Sequence, residues 1–378
     1  MIPGLALREH EPLAPRTTLG VGGPARYLVE AATEEQVAAA LAWAGERAIP
    51  TLVLGGGSNL LVADRGFDGL VLRVRVGGVR FLRTRATYAL VEVGAGERWD
   101  DFVASVVAGG WGGVEALSGI PGDVGATPIQ NVGAYGQEVA ETIVRVRAVE
   151  RRSGRIVELS RKTCGFGYRD SVFKRERKDR HVIVAVRFAL RPGARPLRYP
   201  ELAARLAGAG SAGPSPAQVR EAVLALRRSK SMVLDPADEN GRSAGSFFMN
   251  PTLDAASLAA VRAQVAAASV LAPGEAMPEF AVAGDGAAGP TGEPRTKLSA
   301  GWLIERAGFR KGTGEGRVGL STRHALAVVN RGGATAAEIV AFARRVREGV
   351  RERFGVTLAP EPVLVGFSPG EVAGLVEG

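Results

Sequence analysis

The chain is poor in the residue types that build disulfides, metal centres and membrane spans. Its 378 residues include one cysteine, Cys164, which excludes an internal disulfide and fits a reducing compartment. The three histidines, His10, His181 and His324, are scattered singly, and no Cys/His cluster has the spacing of metal ligands, so we expect no metal site. No apolar run is long enough to cross a bilayer, and the first residues do not resemble a signal peptide. We therefore expect a cytoplasmic protein.

Aromatic residues are also scarce, at 6%, although the chain is basic, with 48 Lys and Arg against 39 Asp and Glu. A net charge of +9 suits a nucleic acid, an anionic membrane or a small anionic ligand. A nucleic-acid surface needs clustered basic residues with aromatics between them, and the densest basic run, residues 174–180, is mixed in sign. We expect a small-molecule substrate, neither nucleic acid nor membrane as partner, and a monomer.

Glycine, in contrast, is abundant, with 51 residues. The length predicts two or three domains. Near the N-terminus, a strand at 27–29 precedes a helix opened by a capping box of Thr33 and Gln36. A second strand at 51–54 runs into Gly-Gly-Gly-Ser-Asn at 55–59. The consecutive backbone N–H groups of this loop suit a pyrophosphate, although such a loop taken alone is more often an ordinary strand-to-loop turn.

A second glycine-rich segment, residues 115–137, is long and weakly charged. We expect Asp100 to cap the helix that precedes it. Within the segment, Gln130, Asn131 and Tyr135 are able to hydrogen-bond or stack on a flat heterocycle. A long uncharged glycine-rich loop is more typical of a ligand-wrapping segment than of a solvated one. Two such loops in one domain favour a large dinucleotide cofactor.

The second half of the chain is predicted mainly from helix signals. Helices begin at Ser215 and Asp254, and a capping box of Thr335 and Glu338 opens another that ends at Gly355. A strand is predicted at 363–365. Residues 272–296, rich in Gly, Pro and Ala, predict a mobile surface loop.

Several longer blocks resemble the UDP-N-acetylenolpyruvoylglucosamine reductase family, in the family's order and over most of the chain. They are TLGVGGPAR at 18–26, GGGSNL at 55–60, SGIPG at 118–122, PIQNVGAYG at 128–136, CGFGYRDS at 164–171, GSFFMNP at 245–251, KLSAGWLIE at 297–305 and PE at 360–361. The resemblance implies reduction of UDP-N-acetylenolpyruvoylglucosamine, with FAD and NADPH as cofactors, in peptidoglycan precursor synthesis. It also implies an α+β fold, in which a two-lobed FAD-binding module of the vanillyl-alcohol-oxidase type precedes a C-terminal α/β substrate domain. We place the module at residues 1–192, with lobes of about 1–69 and 70–192, the substrate domain at 193–366 and a tail at 367–378.

The resemblance also implies roles for individual residues. Arg169 matches the cation that stabilises charge on the substrate carboxylate, Ser246 the proton donor and Glu361 its acidic partner. The implied flavin contacts are Gly55, Gly56, Gly57, Ser58, Asn59, Ile120, Pro121, Gly125, Gln130, Asn131, Gly133, Ala134 and Tyr135. The implied substrate contacts are Tyr168, Tyr199 and Asn250.

Two alternatives remain open from the sequence. The family's usual lysine before the serine block falls at Met232 by spacing, with Lys230 close by, so the residue that meets the substrate diphosphate is undecided. An oxidase on the same flavin fold is the competing enzyme class. Relatives of that kind often tether flavin through histidine, and neither cofactor loop contains one, which argues against the oxidase.

Overall fold

The computed structural model describes residues 2–208, 210, 213–282 and 295–376. Numbered in chain order, its strands are β1 Arg8–Pro12, β2 Pro24–Ala31, β3 Thr51–Leu54, β4 Leu60–Val62, β5 Phe67–Val74, β6 Val79–Arg85, β7 Tyr88–Gly94, β8 Trp111–Gly112, β9 Gly133–Ala134, β10 Gln137–Glu138, β11 Ile143–Glu150, β12 Ile156–Ser160, β13 His181–Pro192, β14 Thr252–Leu253, β15 Glu279–Ala281, β16 Thr296–Leu298, β17 Val318–Leu320, β18 Val328–Asn330 and β19 Val363–Val365. Its α-helices are α1 Glu34–Glu46, α2 Trp99–Ala108, α3 Arg161–Cys164, α4 Pro200–Arg205, α5 Pro216–Ser229, α6 Ala255–Ala267, α7 Ala300–Arg306, α8 Ala336–Phe354 and α9 Pro369–Val372.

The chain forms two compact units that are interleaved in sequence. Unit 1 comprises Met1–Glu11, Ala25–Gly57 and Asp68–Leu234, and unit 2 comprises Pro12–Pro24, Ser58–Phe67 and Asp235–Gly378. The predicted division at residues 192 and 193 concerns which segments bind flavin and which bind substrate, and it stays a prediction.

Unit 1 contains two larger sheets and the short antiparallel pair β10-β9. The first has the order β1-β2-β5-β3, in which β3 and β5 are parallel, and the second has the order β12-β11-β13-β7-β6, with β8 paired to β13. All pairs in the second sheet are antiparallel. A cluster of Trp99, Phe102 and Phe188, each almost fully buried, packs α2 against β13. Burying each of these side chains stabilises the fold by about 1.5–3 kcal/mol.

The starts of α1 and α2 depart from the predicted caps. Thr33 accepts a hydrogen bond from the backbone N–H of Gln36 as predicted, but the Gln36 side chain accepts from Ala32, so only half of the capping box forms. The predicted cap by Asp100 is wrong, because Arg98 occupies the N-cap of α2. Asp100 is the second residue of the helix, and its carboxylate accepts from the Gly119 N–H at 2.6 Å and from Arg220. It therefore joins α2 to the long glycine-rich loop and to α5.

The remaining predicted helices form with the expected caps. Ser215 and Gln218 make a full capping box at α5, whose residues Val219, Val223 and Leu226 are buried. Asp254 caps α6 by accepting from the Ser257 N–H.

Unit 2 contains short sheets and the longest helix, α8, of the described residues. The sheets are β14-β16-β15, β17-β18 and the parallel pair β19-β4, which contains the predicted strand at 363–365. The predicted box of Thr335 and Glu338 opens α8, and Gly355, with φ of 68°, ends it in the left-handed conformation that glycine adopts without strain.

The predicted loop at 272–296 is partly wrong. Residues 279–281 form β15, which pairs antiparallel with β16. The segment lacks a local strand signal, and cross-strand hydrogen bonds to β16 provide the order instead. Residues 283–294 of the predicted loop lie outside the described residues. Within the described parts of the chain, no helix is long and apolar enough to cross a membrane.

Candidate functional site

In unit 1, the loop after β3 lies directly against the long glycine-rich loop. A Cβ added to Gly56 would lie 2.7 Å from the Cα of Gly122, so a larger residue at this position would push the two backbones apart. We refer to the two loops together as the cradle, in which backbone meets backbone at Gly56 and Gly122 and the Asp123 side chain lies beside Gly55 and Gly56. Successive backbone N–H groups in such a cradle suit a diphosphate, so the residues present fit the predicted dinucleotide.

Backbone hydrogen bonds hold the long loop in place. The N–H of Val124 donates to Glu97, and that of Gly125 donates to Ala95, at 2.8 and 2.9 Å. A Cβ on Gly125 would lie 2.6 Å from the Cβ of Ala95. The loop is therefore fixed against the connection between β7 and α2.

Asn131 ties the second half of this loop to the segment that carries Arg169. It is 1% exposed, and its Nδ2 donates to Glu138 at 2.7 Å and to the Gly167 carbonyl at 2.9 Å. Its Oδ1 accepts from the Ala140 N–H at 3.1 Å. Both side-chain N–H bonds are thus used within the protein, so the predicted flavin contact by Asn131 would have to come mainly from its backbone.

The guanidinium of Arg169 lies against the same loop. Its Nη2 donates to the Gly133 carbonyl at 2.6 Å, and its Cζ lies 5.4 Å from the centre of the Tyr168 ring. A Cβ on Gly133 would come within 3.1 Å of Arg169 Nη1, so the glycine makes room for this approach. The two predicted residues Arg169 and Tyr168 are therefore held together beside the predicted flavin loop.

Three of the predicted site residues have left-handed backbones. Asn131, Tyr135 and Arg169 have φ values of 45°, 50° and 53°. Such conformations are uncommon for residues other than glycine and cluster at functional sites. Five other described non-glycine residues, outside the predicted site, also have positive φ values, so this conformation alone does not mark a functional site.

Elsewhere in unit 1, a pair of contacting tyrosines lies near the ion pair of Lys230 and Glu201. The rings of Tyr135 and Tyr199 meet edge to face, 5.2 Å apart. Lys230 Nζ lies 2.9 Å from Glu201 Oε2. Burial lowers the pKa of Lys230, but the hydrogen bond to Glu201 and the phenols of both tyrosines outweigh it and raise the pKa overall. Lys230 is thus a cation held beside Tyr199.

In unit 2, backbone hydrogen bonds bring Ser246 and Glu361 to adjacent segments. The N–H of Glu361 donates to the carbonyl of Phe247 at 2.8 Å, and Phe248 and Pro360 form an antiparallel bridge. Asn59 joins them, because its Nδ2 donates to the Glu361 carbonyl at 3.2 Å. The sequence separates these residues by up to 302 positions, and the pairing of β19 with β4 explains how they meet.

Asn250 is partly used in the framework of unit 2, because its Oδ1 accepts from the first N–H of α7, that of Ala300, at 2.9 Å. Its predicted substrate contact is therefore left to the amide NH2.

The predicted residues are distributed over both units. Unit 1 holds Gly55, Gly56, Gly57, Ile120, Pro121, Gly125, Gln130, Asn131, Gly133, Ala134, Tyr135, Tyr168, Arg169 and Tyr199, and unit 2 holds Ser58, Asn59, Ser246, Asn250 and Glu361. Their individual roles stay predictions.

One polar residue of the cradle, Asp123, is absent from the predicted set. It belongs to the long glycine-rich loop, is 5% exposed, and its side chain lies against Gly55 and Gly56 of the loop after β3. An acidic residue inside a loop predicted to hold an anion is the signal that could have drawn attention to it. No group of three potential metal ligands occurs among the residues the structure describes.

Two family models match separate segments of this chain. Residues 25–160 match a family model described as an FAD binding domain, and residues 235–365 match the C-terminal domain of UDP-N-acetylenolpyruvoylglucosamine reductase. The first match confirms the predicted flavin module, which lies in an α+β fold with a separate C-terminal domain.

Curated relatives match over nearly the whole chain. The chain is 50% identical to the UDP-N-acetylenolpyruvoylglucosamine reductase of Thermobifida fusca, over 94% of this chain and 97% of the relative. It is 52% identical to that of Nocardia farcinica, over 96% and 91%. The crystal structure of the Thermus caldophilus reductase matches with a TM-score of 0.61 and 26% identity, covering 96% of this chain and 98% of that one. The chain therefore belongs to the UDP-N-acetylenolpyruvoylglucosamine reductase family.

Proposed function

We propose that this chain reduces UDP-N-acetylenolpyruvoylglucosamine to UDP-N-acetylmuramate, with bound FAD and with NADPH as the reductant. The observation that carries the proposal is the backbone cradle of Gly56 and Gly122, inside the segment that matches an FAD binding domain. The reaction serves peptidoglycan precursor synthesis. The single buried cysteine, Cys164, supports a reducing compartment, and we propose that the enzyme acts in the cytoplasm as a monomer, without nucleic-acid or membrane partners.

The glycines at 55–57 and the loop from Ile120 to Tyr135 would hold the FAD, chiefly through backbone N–H groups. Bound FAD would supply the redox chemistry, as a carrier of hydride between NADPH and the vinyl carbon of the substrate. The chain's own residues have three tasks beside this transfer. They orient the substrate, stabilise the charge that develops on it and supply a proton.

Arg169 is proposed to stabilise that charge. Hydride addition to an enol ether conjugated with a carboxylate pushes negative charge onto the carboxylate oxygens. The planar guanidinium fork fits a carboxylate with two parallel hydrogen bonds. Its anchor on the Gly133 carbonyl keeps it in place before the reaction, so little reorganisation is needed in the transition state. Glu361 is proposed to hydrogen-bond the developing enolate.

Ser246 is proposed to give the proton to the carbon next to the carboxylate. A serine hydroxyl is a weak acid, so the transfer requires close placement and a route for reprotonation. The pairing of the Phe247 carbonyl with the Glu361 N–H supports this role, because it fixes the backbone next to Ser246.

Lys230 is proposed as the contact to the substrate diphosphate. It is the cation beside Tyr199, whereas Met232 in the family's usual lysine position has no charge. Tyr199 and Tyr168 are proposed to cover the nucleotide and the enolpyruvyl group, and Asn250 to contact the substrate through its amide NH2.

Three substitutions test these roles. We expect Ser246→Ala, Arg169→Ala and Glu361→Gln to retain FAD and to be reduced by NADPH at near the wild-type rate. Reoxidation of the bound flavin by substrate should slow by about 10²–10⁴-fold in Ser246→Ala and by about 10²–10³-fold in Arg169→Ala. Anaerobic stopped-flow absorbance separates the two half-reactions.

Matched controls are available in unit 2. Ser257 on α6 and Glu352 on α8 are exposed, so Ser257→Ala and Glu352→Gln should react with substrate like the wild type. Arg169→Lys keeps the charge and loses the fork, and it should fall between wild type and Arg169→Ala. A Ser246→Ala enzyme that reoxidised at the wild-type rate would show that the serine is not the proton donor.

A further inference from the structure

Asp123 is a buried carboxyl group that the protein leaves incompletely hydrogen-bonded. The residue is 5% exposed, and its Oδ2 is buried without a hydrogen-bond partner among the described residues. It occupies the N-cap of the short 3₁₀ helix Val124–Ala126, yet within the described chain its side chain makes no capping bond. Aspartate at an N-cap normally accepts from the next turn. Here the carboxyl points elsewhere.

Both carboxyl oxygens face the loop after β3. A Cβ added to Gly55 would lie 3.6 Å from Oδ2, and one added to Gly56 would lie 3.4 Å from Oδ1. The backbone of Asp123 is fixed on either side, because Gly122 accepts from the Trp99 N–H and Val124 donates to Glu97. The side chain therefore lies in the wall of the cradle, where it cannot easily swing to solvent.

The charges around this carboxyl have both signs. Burial is the largest effect and raises the pKa of Asp123, and Glu97 raises it further. Arg75, Arg73 and Arg98 lower the pKa, but together they do not overcome the burial. The neutral acid is thus favoured more than in an ordinary aspartate, and at this buried position its O–H would need an acceptor.

We propose that Asp123 is a cofactor-binding residue, whose protonated carboxyl donates a hydrogen bond to an oxygen of the FAD diphosphate. This inference rests on the proposed function, since it takes FAD as the occupant of the cradle. A diphosphate oxygen is a strong acceptor, and it completes the hydrogen bonding of the buried acid. The ionised carboxylate would instead face the diphosphate with a charge of the same sign.

Linkage fixes the direction in which FAD affinity changes with pH. Because FAD binds the protonated form, FAD affinity must fall as the pH rises through the pKa of Asp123. The stability of the FAD-free protein changes in the same direction. The folded pKa lies above the unfolded one, so the contribution of this group is fully present below the unfolded pKa and is lost as the pH rises through the folded pKa.

The test is a fluorescence titration of FAD with FAD-free wild type, Asp123→Asn and Asp123→Leu, from about pH 4.5, just above the ordinary aspartate pKa, to about pH 8.5. For the wild type, Kd should rise by about tenfold or more across this range. Asparagine keeps a donor and does not titrate, so the Kd of Asp123→Asn should stay within about threefold at all pH values. Leucine has no donor, and at low pH its Kd should exceed the wild-type value by about tenfold.

Asp68 provides the matched control. It is an exposed aspartate of unit 1, and Asp68→Asn should reproduce the wild-type pH dependence. Denaturant unfolding of the FAD-free variants supplies a second readout, in which Asp123→Asn should be more stable than wild type at high pH.

A pH dependence of FAD binding that persists in Asp123→Asn would overturn the proposal. So would wild-type affinity in a folded Asp123→Leu. If the wild type itself bound no FAD at any pH, both this inference and the proposed function would fail, whereas pH-independent tight binding by the wild type would remove only the inference.

Discussion

At the residue scale, burial decides which side chains are chemically active. Cys164 is fully buried, and burial raises the pKa of its thiol to about 12. The thiolate is the reactive species, so almost none of it forms near neutral pH. Cys164 thus serves as a small apolar side chain of the unit 1 core.

We therefore expect Cys164 to be inert in the native enzyme. An excess of a chromogenic disulfide reagent should release no colour from the folded protein, and one thiol per chain should react after unfolding in denaturant. A rapid reaction of the folded protein near neutral pH would contradict the packing of this residue. The prediction follows from exclusion of the reagent as well as from the raised pKa.

Residue roles were predicted to different extents from the sequence. The sequence blocks identify Arg169, Ser246 and Glu361 as candidates, but no local pattern predicts that Asn131 spends its side chain on Glu138 and Gly167. Asp123 was not predicted as a site residue either. Its burial depends on the approach of a loop more than 60 residues earlier in the chain.

At the element scale, the network around Asp100 connects α2, the long loop and α5. The Asp100 carboxylate accepts one hydrogen bond from the Gly119 N–H and two from the Arg220 guanidinium. The Asp100 side chain is 30% exposed and that of Arg220 is 18% exposed. Burial raises the pKa of Asp100, but the hydrogen bonds from Arg220 and Gly119 and the charges of Arg220 and Arg227 lower it overall.

We expect Asp100→Ala to lower the free energy of unfolding by about 2–3 kcal/mol, because Arg220 and the Gly119 N–H lose a charged partner. Urea unfolding of the wild type and of Asp100→Ala measures this difference in the free energy of unfolding. The folded pKa lies below the unfolded one, so the stability from Asp100 is present above the ordinary aspartate pKa and is lost as the pH falls through the lowered value. The loss caused by the substitution should shrink accordingly in acid.

The neighbouring Asp101 is the control for this element. It pairs with Arg98 at 3.3 Å, and both side chains are more than two-thirds exposed. Asp101→Ala should cost less than about 0.5 kcal/mol. Equal losses in the two variants would show that the network contributes no more than a surface pair.

Elements with a local sequence signal, such as α5, α8 and the strand at 363–365, were predicted, whereas β15, which has no such signal, was missed. The cap-then-proline start at Ser215 predicts α5, and the capping box of Thr335 and Glu338 predicts α8. In the structure, a box at each start satisfies the first backbone N–H groups within one turn. Strand β15 has no such signal and exists through β16. The same limit applies to Asp100, whose partner Arg220 lies 120 residues away.

At the scale of the whole molecule, the predicted site residues are distributed over the two units. Unit 1 contains the glycine cradle and Arg169, and unit 2 contains Ser246 and Glu361. The loop at 55–59 passes from one unit to the other after Gly57. The sequence predicts more than one domain from length, but it does not predict that unit 2 recruits residues 12–24 and 58–67. Only long-range pairs such as β19 with β4 reveal that recruitment.

We propose that one bound flavin carries electrons from NADPH to the enolpyruvyl substrate. The most direct test is an anaerobic absorbance spectrum of the purified wild-type protein, recorded after addition of NADPH and again after addition of UDP-N-acetylenolpyruvoylglucosamine. We expect NADPH to bleach a flavin band and the substrate to restore it without oxygen. A flavin that recovered only when oxygen was admitted would exclude the reductase and favour an oxidase, and a protein unable to bind FAD would exclude both flavoenzymes.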